Sequence, residues 1–102
     1  MLEETAAFRS NIGFTNSGGT TALVQVTLFN SSGGQLTTFT VLVPAGSNVQ
    51  ENQPFLNRAG SSNVRAATAS VEIMSGSGIL VYGSVVDNNT GDPTTIPAKI
   101  EP

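Results

Sequence analysis

Residues 85–93 read VVDNNTGDP and gather Asp87, Asn88, Asn89, Thr90 and Asp92 around Gly91. Carboxylate and amide oxygens are the ligands that a hard cation prefers, so Asp87, Asn89 and Asp92 form a candidate calcium site. The same residue types also build a plain turn. Asp and Asn bond the backbone two residues on, and glycine takes positive φ. The spacing departs from the helix–loop–helix calcium motif, whose longer loop ends on a bidentate glutamate. Parity along the preceding run puts Asp87 on the face of Val81 and Val85, where its carboxylate can accept N–H groups of the turn. A structural corner is therefore expected. Calcium is the alternative, and no other cofactor is expected.

Few other residues offer chemistry. The chain has no histidine and no cysteine, which removes the Ser–His–Asp triad, Cys–His pairs, histidine bases and thiolate metal sites. Lys99 is the single lysine, near the chain end between prolines, a poor place for a desolvated catalytic amine. The carboxylates are Glu3, Glu4, Glu51, Glu72, Asp87, Asp92 and Glu101. Only Asp87 and Asp92 flank one turn as a pair, and glycoside hydrolysis would also need a cleft around them. No enzyme activity and no catalytic residue are expected. Sugar recognition commonly stacks rings on exposed Trp or Tyr, yet the chain has no Trp and one tyrosine, Tyr82. Tyr82 lies in ILVYGSVV, apolar on both faces and so expected to be a central strand covered on both sides. Leu23 and Phe29 sit on the less apolar face of their run and complete the candidate ligand or partner surface with Tyr82.

Composition narrows the partners. Net charge is −3, and the basic residues Arg9, Arg58, Arg65 and Lys99 are scattered. Nucleic-acid binding needs clustered cations that displace counterions, so none is expected. No apolar window reaches the length of a membrane span, so insertion is not expected either. Richness in Ser, Thr, Gly and Asn with little Lys or Glu reads as a secreted or cell-surface protein, which the absence of cysteine does not exclude. The start MLEETAAF and the end PAKIEP read as the limits of a module excised from a longer exported protein.

Alternation with a period of two governs the elements that would carry these residues. In ALVQVTLF, Ala22, Val24, Val26 and Leu28 share one face; in TFTVLV, Phe39, Val41 and Val43 do. In ATASVEIM, Ala69, Val71 and Ile73 oppose Ser70, Glu72 and Met74, which sends Glu72 to water. AFRSNIGF and ILVYGSVV add two further strands. A short one is predicted over 47–51 and a last over 94–98, where Pro97 argues for an edge. Turn signals at 16–19, 30–34, 44–46, 75–78 and 88–93 separate them. QPFLNRAG predicts a short helical turn near 53–59, capped by Asn52 or Gln53 and stopped by Gly60. About seven strands with regular turns predict a single all-β domain over 1–102. An antiparallel β-sandwich of immunoglobulin-like general architecture is expected, with a small open β-barrel as the alternative.

The opening FRSNIGFTN and the closing VYGSVVDNNTGDPTTIPA resemble a β-sandwich module of about this chain's length, found in secreted or surface proteins of environmental, Acidobacteria-like bacteria. Arg9, Ser10, Asn11, Ile12, Gly13, Phe14 and Asn16 fit its opening strand. The stretch FLNRAG at 55–60 fits its Phe-to-Ala-Gly loop. Residues 82–98 fit its closing motif, with Asn89 where the family often carries Arg. The resemblance covers most of the chain. It implies secretion and an accessory role, in tandem copies or appended to larger exported proteins, and brings no catalytic residues with it. The expected partners are neighbouring domains of the same polypeptide or other copies of the chain, with polysaccharide as the alternative.

Overall fold

The computed structural model describes residues 2–5, 8–61, 64–90, 93–97 and 100–101. Strand β1 spans Leu2–Glu4, β2 Phe8–Asn16, β3 Ala22–Phe29, β4 Gln35–Val43 and β5 Asn48–Asn52. Helix α1 covers Pro54–Ala59 and is followed by β6 (Val64–Ser75), β7 (Ile79–Asp87), β8 (Pro93–Pro97) and β9 (Ile100–Glu101). The strands form two sheets, an all-β sandwich as expected, and not one closing barrel. The first sheet has the order β1-β6-β3-β4, with β9 also on β6; the second has the order β5-β2-β7-β8. All pairs are antiparallel except β6 with β9. The seven predicted strands are present, with β1 and β9 as short additions on the outer edge of β6.

Two consecutive pairs of strands interlock the sheets. Chain neighbours β2 and β3 lie in different sheets, as do β6 and β7, while β2 pairs with β7 and β3 with β6. Four strands distant in sequence thus hold the centres of both layers. Between them Phe14, Val24, Val26, Leu28, Val43 and Val71 are buried, with Leu2 from β1 and Phe55 from α1 completing the core. Burying a side chain of this size stabilises the fold by about 1.5–3 kcal/mol. The alternation in β3 is complete: Ala22, Val24, Val26 and Leu28 are buried, and each intervening residue is only half-buried.

Helix α1 follows its local signals at one end only. Pro54 occupies its first turn, and Gly60 at φ 65° ends it by donating its N–H to the Leu56 carbonyl. At the other end Gln53 takes a left-handed conformation (φ 46°) and supplies no side-chain cap. The neighbouring β5 begins and ends one residue later than expected, at Asn48–Asn52.

One expectation is corrected. Strand β7 is central in its sheet, between β2 and β8, but it is not covered on both faces. Leu80 on its outer side is 64% exposed. On that side Val86 is buried and Leu80 is left in water, because the sheet packs against its partner on one face only.

Candidate functional site

The corner after β7 is built as a clasp. Asp87 ends the strand opposite Phe8, and its Oδ1 accepts the backbone N–H of Asn89 at 2.8 Å. This is the turn bond that parity led us to expect. The next residue reaches across the sheet: Arg9 Nη1 donates to Asn88 Oδ1 at 2.8 Å. The arginine of the opening motif thus holds the turn of the closing motif. Asp87 is half-buried and Asn89 exposed. Asp92, the third oxygen donor of the calcium alternative, lies outside the described residues, as do Gly91 and Lys99. Among the described residues no three His, Cys, Asp or Glu side chains converge as a metal would require.

The most elaborate polar constellation lies elsewhere, at Glu4. This carboxylate is 6% exposed and accepts three hydrogen bonds. Ser10 Oγ donates to Oε2 at 2.6 Å, Phe55 N–H to Oε2 at 2.9 Å and Leu56 N–H to Oε1 at 3.1 Å. Glu4 is therefore the cap that Gln53 does not provide. It satisfies free N–H groups in the first turn of α1 and complements the positive end of the helix. Composition made Glu4 only one carboxylate of seven, since its partners lie six and more than fifty residues away. The one local signal was Pro54 opening a helix with no Ser, Thr or Asp before it.

Asn16 does similar work at the other end of β2. It is 1% exposed; its Nδ2 donates to the Thr20 carbonyl at 2.8 Å and the Val43 carbonyl at 2.9 Å, and its Oδ1 accepts Gly18 N–H at 2.8 Å. One amide joins the β2–β3 turn to the end of β4. Between β4 and β5, Arg58 lies over the Phe39 ring at 4.6 Å and donates to Glu51 at 2.6 Å. The Glu51 hydrogen bond raises the Arg58 guanidinium above its ordinary value, opposed by a smaller desolvation. Among the described residues every buried side-chain nitrogen and oxygen has a partner.

The three surface candidates do not converge. Leu23 and Phe29 project from the outer face of the first sheet but lie at opposite ends of β3, about 20 Å apart at strand rise. Leu23 pairs with Leu42, which is 64% exposed, and with Ser75; Phe29 pairs with Gln35 and Thr68. Tyr82 belongs to the other sheet. Its phenol end covers Gly13 on the neighbouring strand, so that a Cβ at Gly13 would stand 2.1 Å from the ring Cζ. Tyr82 is half-buried there, and the register surrounds it with amides. Gly13 pairs with Gln50, and Asn11 pairs with Asn52 and Ser84. Leu80 and Thr15 continue the same face. Glu72 faces solvent opposite Gln25, as the alternation predicted.

No family model, no curated protein and no solved structure matches the chain.

Proposed function

We propose that this chain is a non-catalytic accessory module of an exported bacterial protein. It works by spacing, surface display, or contact with a neighbouring domain or another copy of itself. One observation carries the reading: among the described residues, several side chains of catalytic type hold the fold together. Glu4, Ser10 and Asn16 are buried within internal hydrogen bonds, and Arg9 and Asp87 clasp the final corner. Secretion, immunoglobulin-like general architecture and membership of the bacterial surface module belong to the same reading. They are supported by the opening and closing motifs and by two antiparallel layers with interlocked central strands. Four dispersed cations favour neither nucleic acid nor a membrane as partner. The test is the purified domain assayed against glycoside, ester and peptide substrates. No turnover is expected; turnover abolished by one substitution would overturn the reading.

A second reading, glycan binding, is favoured by Tyr82. An aromatic ring spread over a glycine and flanked by Asn11, Gln50 and Ser84 offers an apolar surface with amide and hydroxyl groups beside it. This is the combination that sugar rings use, stacking their C–H faces and hydrogen-bonding at the rim. Affinity for a polysaccharide panel, lost in Tyr82→Ala and kept in Phe29→Ala, would establish it. Uniform failure across the panel would remove it. Calcium at Asp87, Asn89 and Asp92 is tested by melting with and without chelator, and an unchanged midpoint removes that alternative.

A further inference from the structure

We infer that the outer edge of β4 is a self-association surface, at which a second copy of this chain adds antiparallel strand to strand. The inference rests on the accessory reading above and names the surface that such contact would use. A sheet edge presents a row of unpaired N–H and C=O groups, and stable proteins blunt it with prolines, charges, bulges or brevity.

Three of the four edges here are blunted in that way. The far edge of the first sheet ends in β1 and β9, which are three and two residues long and carry glutamates. In the second sheet β5 is five residues long and contains Glu51, while β8 begins at Pro93 and ends at Pro97, two residues without an N–H.

Strand β4 differs on every count. Its sequence QLTTFTVLV is nine residues long, with no charge and no proline, and among the described residues no strand pairs with its outer side. The bulge that places Gln35 and Thr37 opposite Phe29 and Leu28 affects only its first residues. Residues 37–43 run on in regular register with β3 for about 24 Å at strand rise. Helix α1 lies beside β4, where Arg58 rests on the Phe39 ring, on the face of β4 turned toward the second sheet.

The occupant follows from symmetry. An antiparallel pair is self-complementary about a two-fold axis perpendicular to the sheet, so this uncharged edge matches itself. The two outer faces then lie on one side, bringing the exposed Leu42 and its neighbour Leu23 of each copy onto a common surface. No charged residue lies in β4 itself, and Arg58, which rests over Phe39, is paired with Glu51. An edge of this length sits at the low end of interface sizes, so association is weak, read over roughly micromolar to millimolar concentrations.

Sedimentation equilibrium on the intact chain, from about 1 μM to 1 mM across that range, reads the inference directly. The weight-average mass is expected to rise toward twice the monomer value. Amide exchange within 37–43 should slow as concentration increases. Thr38→Glu/Thr40→Glu, which places like charges on both sides of the axis, should weaken association at least tenfold with an unchanged circular dichroism spectrum. Leu80→Glu, on the opposite sheet, should leave it intact. A monomer throughout, β4 exchange independent of concentration, or equal loss in the Leu80→Glu control would overturn the inference. If the charged double variant fails to fold, the exchange measurement on the unmodified chain decides alone. A monomeric chain without turnover sinks this inference and leaves the accessory reading standing, whereas turnover sinks that reading itself.

Discussion

Replacing Glu4 by alanine removes a cap that local sequence does not supply, and its cost follows from the three donors left behind. Ser10 Oγ and Phe55 N–H point at Oε2 in buried hydrogen bonds, and Leu56 N–H points at Oε1 in a partly buried one. A buried donor stripped of its acceptor costs about 1–3 kcal/mol. The Leu56 group can recruit water at smaller cost, and loss of the carboxylate's own desolvation offsets part of the total. The net is about 3 kcal/mol, a large share of the roughly 5–15 kcal/mol that holds a domain together. For a chain of this size it lowers the melting midpoint by about 12–18 °C. Glu4→Gln preserves the shape and one acceptor oxygen, so it should lose about 1–2 kcal/mol. Urea unfolding followed by circular dichroism measures both differences. Amide exchange at Phe55 and Leu56 reports whether the first turn of α1 opens ahead of the sheets. If Glu4→Ala stays within about 1 kcal/mol of the parent, the carboxylate is not the cap of this helix and the argument fails.

The other buried polar residue of β2 gives an independent check. Asn16→Asp replaces a doubly donating amide with an acceptor facing the Thr20 and Val43 carbonyls, and a loss of about 3–4 kcal/mol is expected in the same unfolding assay. Gly13→Ala drives a methyl into the Tyr82 ring and should displace the phenol. The chain contains one tyrosine and no tryptophan, so its intrinsic emission reports that movement directly, alongside a stability loss of about 1–3 kcal/mol. Asp87→Ala should cost only about 0.5–1 kcal/mol, because the Asn89 N–H it releases is exposed and water can replace the carboxylate. A larger loss on thermal melting would mean that Asp87 holds more of the corner than this bond.

Much of the fold was legible because its signal is local. Period-two alternation requires only that one face of a strand be dry, so Ala22, Val24, Val26 and Leu28 declared the inner face of β3 before any partner was known. Gly60 announced the end of α1 for a similarly local reason, since a left-handed residue there is easiest for glycine. The bond from Asn89 N–H to Asp87 was also within reach, because it spans two residues.

What escaped the sequence reading depended on residues far away along the chain. Leu2 and Glu4 precede the first predicted strand; pairing of β1 with β6 carries one into the core and the other to the helix. The residues around Tyr82 read as a strand covered on both sides, because apolar content does not reveal whether a second layer lies above it. The clasp from Arg9 to Asn88 spans seventy-nine residues and exists only because β2 and β7 are neighbours.

By itself, the sequence determined seven of the strands, the inner faces of those that alternate, most of their turns and the chemistry that a chain without histidine or cysteine forgoes. Each of these follows from side-chain type and from a repeat only two residues long. The tertiary structure alone decided which carboxylate became a buried cap, which aromatic ring came to lie over a glycine, and which uncharged, proline-free strand came to form a sheet edge. Those outcomes depend on which strands become neighbours, and pairing between distant strands is written in no single stretch of the chain.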